Sequence, residues 1–174
     1  MEDVLACNAA LPDYIGFVFA PSRRQIGIAQ AAQLKQALDP RIKAVGVFVN
    51  ASLDEIAQAS EHLDLIQLHG SESDDFVRQA KDLYSLPMVK LNDSEFADFA
   101  LFDGPNPGSG KAFDWRAISC YNKKYFLAGG LLIENIEQAA KLKPYCLDVS
   151  SGVETNGVKD AAKIQQFVTK ARML

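Results

Sequence analysis

Tyr125–Ile136 reads YFLAGGLLIENI, an apolar run that ends in two glycines immediately before a stretch with helical spacing. Phe99–Trp115 (FALFDGPNPGSGKAFDW) and Cys146–Glu154 (CLDVSSGVE) repeat this arrangement, with glycine, serine or aspartate where the run ends. Glycine-rich turns and helix N-termini at the ends of parallel strands point backbone amides at a bound anion. The three blocks therefore predict one site for a phosphorylated small molecule.

Seven short apolar runs in the chain lack polar alternation, which is typical of strands covered on both faces. Helical spacing follows most of them, so the predicted repeat is a strand and then a helix, in a parallel sheet. The predicted strands are Tyr14–Ala20, Ala44–Asn50, Leu65–Gly70, Met88–Asn92, Phe99–Asp103, Tyr125–Gly130 and Cys146–Gly152. The predicted helices are Glu2–Leu11, Ile28–Leu38, Leu53–His62, Asp74–Leu83, Ile133–Leu142 and Lys159–Leu174, with a rudimentary turn at Ser94–Asp98.

The order of these elements is asymmetric, because a helix precedes the first predicted strand. With the turn at Ser94–Asp98 included, helical segments accompany the seven strands, and one more helix, Glu2–Leu11, precedes them all. This is the pattern of an eight-fold TIM-type barrel that lacks the strand expected before Glu2. Residues 1–174 are predicted to form a single α/β barrel domain. This barrel is expected to be incomplete, because it has seven strands instead of eight. Such a barrel has two unpaired edges, so we expect an open gap there, or self-association through it.

Composition narrows the class of protein. The 174 residues are 48% hydrophobic and carry a net charge of -4, so no basic field favours nucleic acid or an anionic membrane as a partner. No signal sequence opens the chain, and no apolar run reaches the length of a membrane span. Cys7, Cys120 and Cys146 are odd in number and lack metal-ligand spacing, which favours free thiols in a reducing compartment, the cytoplasm.

Six sequence blocks together carry a family resemblance. They are GFVF with SRRQI, VGVFVN, QLHG, GSGKAFDW, LAGGL and DVSSGVE, in this order along the chain. The set resembles phosphoribosylanthranilate isomerase, a (β/α)8 barrel family of tryptophan biosynthesis, more closely than indole-glycerol-phosphate synthase or the histidine-pathway isomerases. The resemblance implies an Amadori rearrangement of N-(5-phosphoribosyl)anthranilate to the 1-deoxyribulose phosphate product, with no cofactor.

That reaction requires a general acid at the ribose ring oxygen and a general base at C2. The resemblance assigns the acid to Asp103, whose alternative role is to cap the local turn. The family's base is a cysteine in a Lys-x-Cys-Gly motif on the first strand, and this motif is absent here. Cys7 lies inside a predicted helix, where a small apolar side chain is most simply explained by packing in the core. Cys120 and Cys146 match no catalytic position of the family.

No thiol of the chain is therefore assigned as the base, and two hypotheses follow. The chain is an isomerase whose activity depends on a strand that carries the base. Alternatively, it is a catalytically silent phosphate-binding barrel, or a partial barrel that needs another polypeptide.

The resemblance also assigns substrate-binding residues. The phosphate is expected on the backbone of Gly129 and Gly130 and of Ser151 and Gly152, where the alternative is an ordinary tight turn. Asp148 is expected to orient the ribose hydroxyls; its alternative role is that of a hydrogen-bonded strand carboxylate.

The aromatic carboxylate of the substrate is expected at Arg24, because guanidinium can donate two parallel hydrogen bonds to it; the alternative is a surface charge. His69 is expected to line the site without titrating. Lys111 and Asp114 lie in a glycine-containing loop that is predicted to close over the substrate.

Overall fold

The computed structural model describes residues 1–104 and 121–174, and its centre is a parallel sheet of seven strands that follow one another in chain order. The strands are β1 (Tyr14–Val18), β2 (Lys43–Phe48), β3 (Leu65–Leu68), β4 (Met88–Leu91), β5 (Phe99–Phe102), β6 (Tyr125–Leu127) and β7 (Cys146–Leu147). The helices are α1 (Glu2–Ala10), α2 (Ile28–Ala37), α3 (Leu53–Ser60), α4 (Asp74–Leu83), α5 (Ile136–Ala140) and α6 (Ala161–Ala171). The sheet curls into a half-barrel, which confirms the predicted α/β class and the seven predicted strands.

Side chains on the two faces of the sheet form separate cores. A large cluster fills the layer between the sheet and the helices, and it includes Phe48, Ile66 and Leu127. A smaller cluster lines the inner face, with Val45, Leu65, Val89, Leu101 and Phe126 as members. Because successive side chains of a strand point to opposite faces, the residue two positions after an inner-facing residue also faces inwards. This alternation places the polar residues at the strand ends in the mouth of the half-barrel.

Within the described residues, β1 and β7 each pair with one neighbouring strand only, apart from an isolated bridge between Val18 of β1 and Gln25. Between them lies an open groove of about 1250 Å³, whose lining includes Cys7 of α1 and Phe167 of α6. The expectation of an open gap between the first and last strands is therefore confirmed for the part of the chain that the structure describes.

The sequence-based boundaries differ from the structure mainly at the C-terminal ends of the strands. The run predicted as a strand over Cys146–Gly152 has two strand residues, and a short 3-10 helix occupies Ser151–Val153. The helix predicted over Ile133–Leu142 is limited to α5, because the Gly130–Asn135 segment forms a turn first. Serine and glycine favour turns after a strand, and the apolar pattern does not mark where pairing stops.

The prediction that the last helix begins at Lys159 is wrong. Glu154–Thr155 (β8) and Val158–Lys159 (β9) form an antiparallel hairpin instead. Its two turn residues, Asn156 and Gly157, have φ values of 51° and 81°, the left-handed conformation that an Asn-Gly pair favours. α6 then begins after Asp160, whose carboxylate caps it by accepting hydrogen bonds from the amides of Ala162 and Lys163.

None of the helices in the described ranges has the length and apolar character needed to cross a lipid bilayer.

Candidate active site

Three polar side chains continue the inner row of the half-barrel. His69 follows β3, Asp103 follows β5 and Asp148 follows β7, each two positions after an inner-facing residue. The amides of His69 and Asp148 still bond to the neighbouring strands, at 2.7 Å to the Phe48 carbonyl and 2.8 Å to the Leu127 carbonyl. The sheet itself therefore fixes where these side chains project.

Seven of the eight residues predicted for the site line the open groove. They are Arg24, His69, Asp103, Gly129, Gly130, Asp148 and Ser151. Gly152 is not part of the lining, and a Cβ atom there would lie 2.0 Å from the Leu131 carbonyl oxygen. Its lack of a side chain therefore allows the segment after β7 to pack against the segment after β6.

Asp103 has a different partner for each carboxylate oxygen. Its Oδ1 accepts a hydrogen bond from the Gly104 amide at 2.7 Å, while its Oδ2 lies 3.3 Å from Nε2 of His69. The side chain is only 10% exposed. The turn-capping contact considered as the alternative role is thus present, and it occupies one oxygen and leaves the other in the groove.

Gln67 determines which nitrogen of His69 carries the proton. Its amide nitrogen lies 3.1 Å from Nδ1 of His69. Since an amide nitrogen can only donate, Nδ1 is the acceptor, and the proton of the neutral ring is on Nε2. His69 therefore presents its Nε2–H to Oδ2 of Asp103.

Asp148 is a carboxyl group with a raised pKa. Desolvation is the largest cause; the nearby Asp103 carboxylate also raises it, while His69 and Lys159 act in the opposite direction. Removal from water and a like charge both disfavour ionisation. Asp148 therefore keeps its proton to a higher pH than an exposed aspartate does.

The turn after β6 approaches Asp103 closely because it contains glycine. Gly129 and Gly130 have φ values of 84° and 66°, and a Cβ atom on Gly129 would lie 2.9 Å from Oδ1 of Asp103. Asn135 fixes the same turn: its Nδ2 donates to the Gly130 carbonyl and its Oδ1 accepts from the Leu132 amide, both at 2.8 Å. An amide side chain thus holds the backbone where a phosphate is expected.

Arg24 is ion-paired at the rim of the groove. Its Nε and Nη2 lie 3.1 Å and 2.7 Å from Oε1 of Glu154, a side chain that is only 5% exposed. Arg23 donates to Oε2 of Glu154 at 2.5 Å, and Nζ of Lys159 lies 3.1 Å from Oε1. Desolvation opposes ionisation of Glu154, but hydrogen bonds from Arg24 and Lys159 outweigh it and lower the pKa.

Behind the mouth lies a buried ion pair between Lys90 and Glu72, with side chains 6% and 2% exposed. Nζ of Lys90 donates to the Gly70 carbonyl at 2.8 Å and lies 3.3 Å from Oε2 of Glu72. Glu72 also accepts from the amides of Asn50 and Gly70. These bonds join the segments after β2 and β3 to strand β4, beside His69.

Both described cysteines have raised thiol pKa values, as expected from their surroundings. Burial is the main cause in each; it raises the pKa of Cys7 to about 11, and Asp3 adds to the effect. For Cys146 the neighbouring Asp148 and Asp13 add to it. Neither thiol is a thiolate near neutral pH. Cys120, Lys111 and Asp114 lie outside the described residues, so the predicted loop closure falls there too.

Among residues 1–104 and 121–174, no group of three or more His, Cys, Asp or Glu side chains is placed to hold a metal ion.

Sequence reasoning did not single out Gln67, Glu154, Lys159, Asn135 or the Glu72–Lys90 pair. Some of these had a signal: a lysine inside the apolar run MVKLN is unusual, and buried charges are normally paired. Glu154 had none, because it meets Arg24 across 130 positions of sequence, and Lys159 joins this pair through Glu154.

Comparisons with known proteins point to a single family. A family model described as N-(5'phosphoribosyl)anthranilate (PRA) isomerase matches residues 1–170. The N-(5'-phosphoribosyl)anthranilate isomerase of Endomicrobium trichonymphae is 45% identical, over 99% of this chain and 94% of that protein.

Solved structures agree with this. The phosphoribosyl anthranilate isomerase of Thermotoga maritima has a TM-score of 0.89 and 34% identity, and 99% of this chain matches 94% of it. An isomerase of the same name, in complex with reduced 1-(O-carboxyphenylamino)-1-deoxyribulose 5-phosphate, has a TM-score of 0.85 and 32% identity, over 99% and 94% of the two chains.

Proposed function

We propose roles for the residues of the groove from one premise: this chain belongs to the N-(5'-phosphoribosyl)anthranilate isomerase family. Members of this family act in tryptophan biosynthesis on a small phosphorylated substrate that carries an aromatic carboxylate. Their reaction opens the ribose ring and moves a proton from C2, so it needs an acid and a base at opposite sides of the sugar.

Asp103 is the general acid in this proposal. Its carboxyl proton goes to the ribose ring oxygen, the C1–O bond breaks, and the anthranilate nitrogen shares its electrons with C1 to form the Schiff base. A base then removes the C2 proton, and the electrons of that bond move towards nitrogen to give the enolamine, which tautomerises to the ketone. The observation that carries the assignment is the contact of Oδ2 with His69 Nε2–H, which stabilises the carboxylate that remains.

The other predicted residues bind the substrate. The phosphate binds to the turn at Gly129–Gly130 and to the segment at Ser151–Gly152, and the anthranilate carboxylate binds to Arg24. Asp148, which lines the same groove, contacts the ribose hydroxyls. The support for this arrangement is that Arg24, Asp103, Gly129, Gly130, Asp148 and Ser151 all line one groove.

We propose that the base belongs to a strand that pairs with both β1 and β7. The resemblance to the family places a cysteine on such a strand, and the two open edges leave room for it. The thiols of Cys7 and Cys146 are poor candidates, because their raised pKa values keep them protonated. The same observations support the second candidate, a silent phosphate-binding partial barrel that another polypeptide completes.

The loss of anthranilate fluorescence during turnover of phosphoribosylanthranilate tests these alternatives. It is measured for the 174-residue chain and for a version with an added N-terminal strand that carries a Lys-x-Cys-Gly motif. Activity only with the added strand is the expected result. Activity in the shorter chain would show that another group is the base, and silence in both would favour the binding protein.

We further propose that residues 1–174 form one domain, that the protein is cytoplasmic, and that free chains associate through the β1 and β7 edges. The free thiols and the unpaired strand edges support these points.

A further inference from the structure

We infer that Glu154 is a positioning residue that holds Arg24 in the orientation for an aromatic carboxylate and links this end of the groove to the phosphate-binding segment. The inference rests on the proposed binding of that carboxylate by Arg24. No sequence pattern assigns such a role to Glu154.

The contacts of Arg24 with Glu154 fix the orientation of its guanidinium group. Both of its contacts with Glu154 use one edge of the guanidinium group, the edge formed by Nε and one N–H of Nη2. A guanidinium group has five N–H donors in a plane. Its other edge, with Nη1 and the second N–H of Nη2, forms a fork that matches a carboxylate. By occupying one edge, Glu154 determines which way the second edge points.

The charge around Glu154 supports the same role. Arg23, Arg24 and Lys159 surround one carboxylate, so this corner has a surplus of two positive charges. A buried glutamate is costly unless it is paired, and here each oxygen has a cationic donor. The surplus attracts an anionic ligand. The negative charge of Glu154 offsets the mutual repulsion of the three cations and so keeps them close together.

Lys159 connects Glu154 to the expected phosphate-binding segment. Nζ of Lys159 contacts Oε1 of Glu154 and also donates to the Ser150 carbonyl at 2.8 Å, next to Ser151. The β8–β9 hairpin carries both Glu154 and Lys159, and its Gly157 carbonyl accepts from Arg23 at 3.0 Å. Gly157 has a φ of 81°, a left-handed conformation that favours glycine at this turn of the hairpin. One hairpin thus sets both anion-binding ends.

The test compares two product analogues that differ only in the carboxylate. They are reduced 1-(o-carboxyphenylamino)-1-deoxyribulose 5-phosphate and its phenylamino counterpart, and their binding is measured by calorimetry, which requires no turnover. In E154Q the glutamine keeps the size of the side chain but loses its charge. We expect at least a tenfold loss of affinity for the carboxylated analogue and less than a twofold change for the other.

E72Q is the matched control, because Glu72 is equally buried but pairs with Lys90 instead of Arg24. It should change the affinity for both analogues by the same factor. Equal losses for both analogues in E154Q, or no loss for either, would overturn the inference. If E154Q does not fold, E154D replaces it; the shorter, still charged side chain should lose about threefold for the carboxylated analogue alone.

The wild-type protein separates this inference from the proposed function. If it binds the carboxylated analogue no more tightly than the phenylamino one, the assignment of Arg24 is wrong, whatever Glu154 does. If it prefers the carboxylated analogue and E154Q keeps that preference, only the role of Glu154 fails.

Discussion

Asp103, Asp148 and Glu154 are three acidic residues of one groove whose surroundings differ in charge. The Gly104 amide and Nε2 of His69 contact Asp103, whereas Asp148 is desolvated beside another carboxylate. Glu154 is surrounded by three cations. Because surroundings set the protonation of a carboxyl group, the three differ in the way that the tasks proposed for them require: proton transfer, sugar binding and the positioning of cations.

Replacement of Asp103 by asparagine separates its two candidate roles. Asparagine still accepts a hydrogen bond from the Gly104 amide, so the turn should stay intact, but it cannot give up a proton. We expect kcat to fall by about 10²–10⁴-fold, measured by loss of anthranilate fluorescence in whichever version of the chain is active. D75N, which changes an aspartate with a 79% exposed side chain, is the control. Full activity in D103N would leave Asp103 only its role in the turn.

Asp148 should make stability depend on pH in a defined direction. Its folded-state pKa is raised, so its contribution is fully present below the ordinary value of 3.8 and is lost as the pH rises through the folded-state value. We therefore expect D148N to be more stable than the wild type near pH 7, and the difference to disappear below about pH 4. Chemical denaturation across this range measures it. Lower stability of D148N at neutral pH would contradict the raised pKa.

At the scale of elements, the turns after the strands are held by side chains from outside those turns. The Gly129–Gly130 turn is held by Asn135 from the start of α5, and the segment before Ser151 by Lys159 from β9. The segments after β2 and β3 are joined to β4 by the Glu72–Lys90 pair. The strands therefore provide directions for the side chains, and these polar contacts determine the conformation of the mouth.

Removal of the Asn135 side chain should loosen the expected phosphate site. N135A loses the bonds to the Gly130 carbonyl and the Leu132 amide, so the glycine turn can adopt other conformations. We expect roughly tenfold weaker binding of inorganic phosphate, equivalent to about 1.4 kcal/mol, with little change in the helix content. Q138A, at an exposed position of α5, is the control. Unchanged phosphate affinity in N135A would place the phosphate elsewhere.

At the scale of the whole molecule, the half-barrel has two different edges. β1 has five residues and β7 has two, and the groove between them is backed by α1 and α6. The unpaired backbone of such edges is a template for another strand. The open sheet accounts for both the absence of an assigned base and the expected self-association.

Hydrogen exchange should show these edges directly. Amides of Tyr14–Val18 and Cys146–Leu147 should exchange faster than those of β3–β5, which are paired on both sides. When the added strand is present, the edge amides should become protected and any concentration-dependent dimer, seen by sedimentation, should dissociate. Edge amides that are already as protected as β4 in the dilute chain would contradict an open sheet.

Much of the fold and part of the site follow from local pattern. Apolar runs such as VGVF and FALF predict buried parallel strands, because burial on both faces leaves no polar position. His69, Asp103 and Asp148 could be assigned to one mouth, since the ends of parallel strands meet at one edge and polar residues there are exceptions to the pattern. The glycine turns were also visible, because left-handed φ values and close approaches favour that residue.

Contacts between distant segments were decided only by the tertiary structure. Nothing near Arg24 in the sequence indicates that Glu154 pairs with it, and nothing near His69 shows which of its nitrogens faces Asp103. Lys159 matched a helical pattern, yet the Asn156–Gly157 turn placed it in a hairpin beside Ser150. Local pattern reflects which residues must be buried, whereas pairing, tautomers and charge balance depend on three-dimensional neighbours, which no short stretch of chain contains.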